Sequence, residues 1–170
     1  MEYVALSRSE HEPESQPALK IRPIAFGDAD SYRSILERTS EEDRYCRFFH
    51  VVNHFDLSDI RRFVEPRLDT IGLIAEEDGV PYGVAHAFFL SDHSAEIAIV
   101  VAGDVRRHGV GHALLERLLG ELRSRQFTEV IAMALSVNSS FAHLAASVGM
   151  TPSGPLDGMT TWTLSVPVEA

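Results

Sequence analysis

The stretch DVRRHGVGHALLERLLGEL, residues 104–122, sets Gly109 and Gly111 one residue apart just before an amphipathic run. Leu114, Leu115, Leu118, Leu119 and Leu122 recur at helical spacing as an apolar stripe, while Glu116, Arg117, Glu121 and Arg123 face away from it. The first turn of such a helix leaves N–H groups without intrahelical partners, and the macrodipole adds partial positive charge there. Glycines in that place let the backbone approach an anion closely, and Arg106, Arg107 and His108 surround it with basic side chains. A pyrophosphate suits such a site. The dinucleotide fingerprint does not match, because Leu114 stands where its third glycine belongs, and no G-K-[ST] of the Walker type occurs. On these residues alone the loop is either a phosphate cradle of some other kind or a glycine-rich turn.

The residues upstream read as strands. SAEIAIVV, residues 94–101, puts Ile97, Ile99 and Val101 on one face and Glu96, Ala98 and Val100 on the other. Before it, TIGLIAEE and VPYGVAHAFFL flank Asp78-Gly79, the signal of a tight hairpin. LKIRPI predicts a first strand near residues 20–24, followed by a helix capped by Asp28 with Tyr32, Ile35 and Leu36 inward. Ser40 opens a second helix as a capping box with Asp43 in the usual Glu/Gln place, and Ser58 and Pro66 bracket a third. Downstream, EVIAMAL predicts a buried strand. Asn138 caps a short helix with Phe141, Leu144, Ala145 and Val148 inward and Gly149 at its end, and MTTWTLSV closes the chain as one strand. The order β-α-α-α-β-β-β-α-β-α-β is that of an α/β (α+β) fold, a mixed sheet with helices on its faces.

Composition bounds the function. At 170 residues and 45% hydrophobic, the chain can bury a full core, and residues 19–170 are expected to form one domain after a flexible tail over residues 1–18. A net charge of -10 repels a phosphate backbone, so nucleic acid is not an expected partner, whereas cationic substrates such as amines and lysine side chains suit it. No apolar run approaches a membrane span and the N-terminus lacks signal-peptide features, which predicts a cytoplasmic protein without membrane contact. Cys46, the single cysteine, cannot form an intrachain disulfide and reads as a small core hydrophobe. His50 and His54 are spaced as helical ligands would be, but lack a carboxylate motif and read as surface or cleft histidines; no metal is expected.

RRHGVG resembles the Q/R-x-x-G-x-G/A signature of the GCN5-related N-acetyltransferases, the GNAT superfamily, and VNSSFAHLAASVGM is similar to the segment that follows it in that family. A finer similarity lies in IRPIAFGDADSYRSILERTSEEDRYCRFFH. Its Arg44–Phe49 run, with AEIAIVV later, resembles the catalytic domain of bacterial Pat-type protein lysine acetyltransferases. The resemblance implies a mixed sheet of about six to seven strands splayed at the fourth and fifth, with about four to five helices. It implies acetyl-CoA as cofactor and an amine acceptor, a protein lysine first and a small amine second, in a monomer or homodimer. Main-chain groups of Ile99, Val100 and Val101 are then expected to pair with the pantetheine arm. Arg106, Arg107, His108, Gly109, Val110, Gly111 and His112 are expected to form the pyrophosphate loop, with Asn138 and Phe141 on the other side of the cleft. Glu96 aligns with the general base, for which Asp92, His86 and His93 are the alternatives. Many GNAT enzymes carry a tyrosine acid where this chain has Ala145. That departure also admits a non-catalytic acyl-CoA-binding module.

The chemical need for a base stands apart from any resemblance. A lysine amine, with a pKa of about 10.4, is almost wholly protonated at neutral pH and cannot attack a thioester in that form. A carboxylate at the cleft can remove the proton directly or through one water.

Overall fold

A computed structural model describes residues 18–49, 54–105 and 107–167. The expected tail, His50 and Arg106 lie outside these. The chain runs β1 (Lys20–Pro23), a 3-10 turn (Phe26–Asp28), α1 (Ala29–Glu37), α2 (Glu41–Phe48), α3 (Leu57–Val64), β2 (Thr70–Glu77), β3 (Val80–Phe89) and β4 (Ser94–Val101). A second 3-10 turn (Gly103–Val105), α4 (Val110–Ser124), β5 (Glu129–Leu135), α5 (Ser139–Ser147), β6 (Thr151–Leu156) and β7 (Met159–Ser165) complete it. The strands form one sheet in the order β1-β2-β3-β4-β5-β7-β6, antiparallel except where β4 meets β5.

Two apolar layers sandwich the sheet. On one face the α4 leucine stripe packs with Ala95, Ile97, Val130 and Trp162. On the other, Tyr32, Ile35, Leu36, Ile60 and Val64 cover Ile74, Val84 and Val100. Strand β4 thus divides its side chains between the layers as its period of two requires. The α4 axis comes close to β3 at Gly83, where a Cβ would stand 2.9 Å from the Val100 carbonyl and 3.0 Å from Leu114 Cδ1. At the β2–β3 hairpin, Asp78 and Gly79 both take positive φ, 49° and 77°, as a type I′ turn demands.

Four local expectations are corrected. Asp28 occupies the N-cap position of α1 but its side chain does not cap it. Its carboxylate instead takes the Ala25 N–H at 2.7 Å and the Arg22 fork at 2.8 Å on each oxygen, a stronger charge-assisted arrangement. Asp56, not Ser58, is the N-cap residue of α3, so Ser58 lies within the first turn. Strand β5 is half-buried rather than buried: Val130, Ala132 and Ala134 face the core while Met133 is 47% exposed. The C-terminus is a hairpin, not one strand, with β6 turning at Asp157-Gly158 into β7. Strand β6 is exposed throughout and sits at the sheet edge, where Pro152 and Pro155 are tolerated because the outer side has no ladder to complete.

Candidate active site

Strands β4 and β5 pair only over Ser94–Glu129, Ala95–Val130 and Glu96–Ile131, and then part. Beyond Glu96, β4 pairs with β3 alone, so one edge of Ile97–Val101 is open. An open, extended backbone edge is a template for a ligand that presents amides, as a pantetheine arm does. The side chains of Ile99 and Val101 pack towards the α4 layer and Val100 is buried in the other, which leaves the main chain of these residues for the cleft.

The wall after β4 is the N-terminus of α4. Gly109 is its N-cap with φ 80°, and no side chain caps the helix. A Cβ at Gly109 would meet nothing within 4 Å, so its glycine is there for the left-handed backbone rather than for space. Arg107 also has positive φ, 65°, so the loop coils just before the helix. Arg107, His108 and Gly109 are exposed, while the Val110 side chain is anchored in the core at 3% exposure. The first helical amides thus have no side-chain cap and follow an exposed turn, and this donor set fits a pyrophosphate. Gly111 lies where three elements meet: a Cβ there would stand 3.5 Å from both Val101 Cγ2 and Leu144 Cδ2. The His112 Nδ1 is 3.1 Å from the Ser147 hydroxyl, which itself donates to the Leu144 carbonyl at 2.7 Å. This contact links α4 to α5, and Nε2 of the same ring lies 3.3 Å from a Glu116 carboxylate oxygen.

On the opposite wall, the Asn138 side-chain oxygen accepts the Phe141 N–H at 3.0 Å, capping α5. The cap uses only the carbonyl half of the amide, and its NH2 is left to donate elsewhere. The Phe141 ring stands edge-on to Trp162 at 6.4 Å between centroids, which braces α5 against β7.

Glu96 sits where the two strands part, half-buried, on the sheet face away from α4. Among the described residues its carboxylate has no ion pair or hydrogen bond. Across the ladder it faces Phe88, which in turn faces Thr70. These two residues, with Phe63, His86, Arg62 and Arg67, line a cavity of about 220 Å³. No sequence signal assembled it, because its walls come from α3, the α3–β2 loop, the start of β2 and β3. His86 is 3% exposed and sits among the Tyr32, Phe63 and Phe88 rings with Nε2 2.9 Å from the Phe63 carbonyl. Burial pushes its pKa down to about 4, so the ring is neutral and donates Nε2–H to that carbonyl. A buried imidazole so weakly basic is poorly suited to take a proton from an amine. Asp92 and His93 lie exposed in the β3–β4 turn.

Ala145 is fully buried in the α4-side layer, so its position offers no room for a proton donor. Cys46 is half-buried. His54 is exposed beside Asp56, 3.4 Å away, and no metal-binding cluster occurs among the described residues. No helix among them is long and apolar enough to cross a membrane.

Residues 30–149 match the acetyltransferase (GNAT) family model. The fold is similar to the GNAT domain of S. lividans PAT, with a TM-score of 0.82 and 25% identity over 87% of this chain and 90% of that one. It is also similar to YncA, a putative acetyltransferase of Salmonella typhimurium solved with acetyl-CoA, with a TM-score of 0.70 and 23% identity over 90% and 96% of the two chains. The ribosomal-protein-S18-alanine N-acetyltransferase of Escherichia coli superposes with a TM-score of 0.71 at 18% identity over 90% and 97%. The family match spans the open β4 edge, the uncapped α4 turn and Asn138 together, and this chain belongs to the GNAT acetyltransferases, enzymes that use acetyl-CoA.

Proposed function

We propose that the protein transfers an acetyl group from acetyl-CoA to a protein lysine, with Glu96 as the general base. Acetyl-CoA supplies the acetyl group as an activated thioester. In this reading the main chain of Ile99, Val100 and Val101 holds the pantetheine arm, and the amides of residues 107–112 hold the pyrophosphate. The Asn138 NH2 donates from the far wall. Glu96 accepts the proton that the acceptor ammonium must lose, and N–H groups on the open edge of β4 are the donors available to charge building on the carbonyl oxygen.

The observation that carries the reading is the placement of Glu96, a half-buried carboxylate without an ion partner among the described residues, at the point where β4 and β5 separate. The Arg44–Phe49 run and the likeness to S. lividans PAT support a lysine acceptor. The test is release of free thiol from acetyl-CoA with lysine peptides and small amines side by side. Transfer to peptide lysine above small amines supports the proposal. Tight acetyl-CoA binding with no acceptor-dependent thiol release would instead favour a non-catalytic acyl-CoA-binding module.

A further inference from the structure

The cavity lined by Phe88, the residue that faces Glu96 across the ladder, carries an excess of positive charge. Its lining contributes two guanidinium groups, Arg62 and Arg67, and one carboxylate, Asp69. Arg67 is matched by Asp69 through two bonds of 2.9 and 2.8 Å. Arg62 has no carboxylate within ion-pair distance among the described residues, although the chain as a whole carries ten more acids than bases. Its guanidinium carbon lies 5.0 Å from the Phe63 ring centroid and the residue is exposed. A third guanidinium, the half-buried Arg47 on α2, is close enough to act electrostatically on both His86 and Tyr32. It approaches the buried Tyr32 hydroxyl without completing an aligned hydrogen bond. The floor, His86, is neutral and adds no positive charge, but it adds no negative charge either.

An acceptor ammonium next to such a surface is repelled unless it brings its own anion. From these residues we infer that the acceptor carries a carboxylate close to its reacting amine, and that Arg62 is the residue that binds it while Phe63 and Phe88 cover the intervening methylenes. Glu96 faces Phe88 across the ladder, so an amine at the base and a carboxylate at Arg62 flank the same aromatic side chain. The carboxylate is either an acidic residue beside the acceptor lysine or the α-carboxylate of a free diamino acid that reacts at its side-chain amine; the chemistry that recognises them is shared. The inference rests on the reading that Glu96 marks the acceptor site, and it adds the substrate's charge pattern to that reading.

The experiment uses the full chain with acetyl-CoA and two matched acceptor pairs. One pair is a peptide with a single lysine flanked by Glu or by Gln; the other is free lysine and its methyl ester, with transfer to the side-chain amine scored. Thiol release gives kcat/KM, and calorimetry on the CoA-loaded protein gives acceptor affinity. The carboxylate-bearing member of at least one pair should be favoured by about 10-fold, and which pair shows it identifies the source. Arg62→Gln should erase that preference through KM while leaving the neutral member and the KM for acetyl-CoA unchanged. Equal use and equal binding of both members overturns the inference while the transfer reading stands, as does an Arg62→Gln loss shared by charged and neutral acceptors. Arg62-dependent binding of the carboxylate member without any thiol release supports the subsite and overturns the transfer reading.

Discussion

Glu96 on β4 and Phe88 on β3 stand directly opposite one another in the ladder, and Phe88 lines the cavity that Arg62 guards. The pair places the proposed base against that cavity, and the open edge of β4 begins one residue further along, at Ile97. Removing the carboxylate while keeping its shape isolates the chemistry. Glu96→Gln should lower turnover by about 10²–10⁴-fold and leave acetyl-CoA affinity unchanged. Steady-state kinetics with calorimetry checks this, and rates like those of the parent protein would remove Glu96 from the mechanism.

Gly109 holds φ 80° with open space around the position a Cβ would take. Gly109→Ala should therefore cost only the left-handed backbone term, about 1 kcal/mol of stability by denaturant midpoint. Its larger effect should be on cofactor affinity, since relaxation of the turn re-aims the amides of the following residues. An unaltered Kd for CoA would argue that the phosphate is held elsewhere.

His86 makes stability depend on pH in a defined window. Its folded value near 4 lies below the ordinary 6.5, so the unfolded chain takes up this proton first as pH falls. The contribution of the neutral ring is whole above pH ~6.5 and lost between there and pH ~4, amounting to about 3 kcal/mol at the lower end. His86→Phe should flatten the stability profile across that window, measured as denaturant midpoint against pH.

Ala145 lies where many relatives in the superfamily resembled by this sequence carry a tyrosine, and here the site is fully buried. Ala145→Tyr should not add an acid. Overpacking should instead destabilise the fold by about 1–3 kcal/mol, visible as a lower Tm, with turnover no higher than before.

Arg22 ties β1 to the 3-10 turn and to β2, reaching Asp28 at 2.8 Å and Glu76 at 2.9 Å. The guanidinium holds the Asp28 carboxyl below its usual range, against the opposing effect of burial. Arg22→Gln should cost about 2 kcal/mol by leaving Asp28, at 7% exposure, without its counter-charge. Lowered folded carboxyl values place this stabilisation above pH ~4 and remove it as pH falls through them. In the variant, that acid-limb loss should shrink.

The parts of the fold legible in the sequence are those with a strong period or an obligatory turn. The α4 stripe, the two faces of β4 and the Asp78-Gly79 hairpin follow from spacing alone, and the structure holds each of them. Strand β6 was illegible because Pro152, Ser153, Gly154 and Pro155 read as loop, and only an edge position makes them acceptable in a strand. Asp157-Gly158 was the turn signal that could have exposed it. Asp28 misled because its position is that of a cap while its carboxylate answers to Arg22. Likewise the proposed cofactor wall lies in two short sequence segments, so a local pattern could nominate it. The proposed acceptor cavity joins Arg62 and Phe63 to His86 and Phe88 across the interval between α3 and β3, and no local pattern encodes that meeting.

The brief contact between β4 and β5 has a mechanical meaning. Three residue pairs are all the parallel ladder that joins a four-stranded leaf to a three-stranded one. The sheet is therefore a book with a short spine, and a ligand laid along the open edge of β4 would act as binding between its pages. Backbone amides near this spine should exchange with solvent faster than those inside either leaf, and slow together once acetyl-CoA is added.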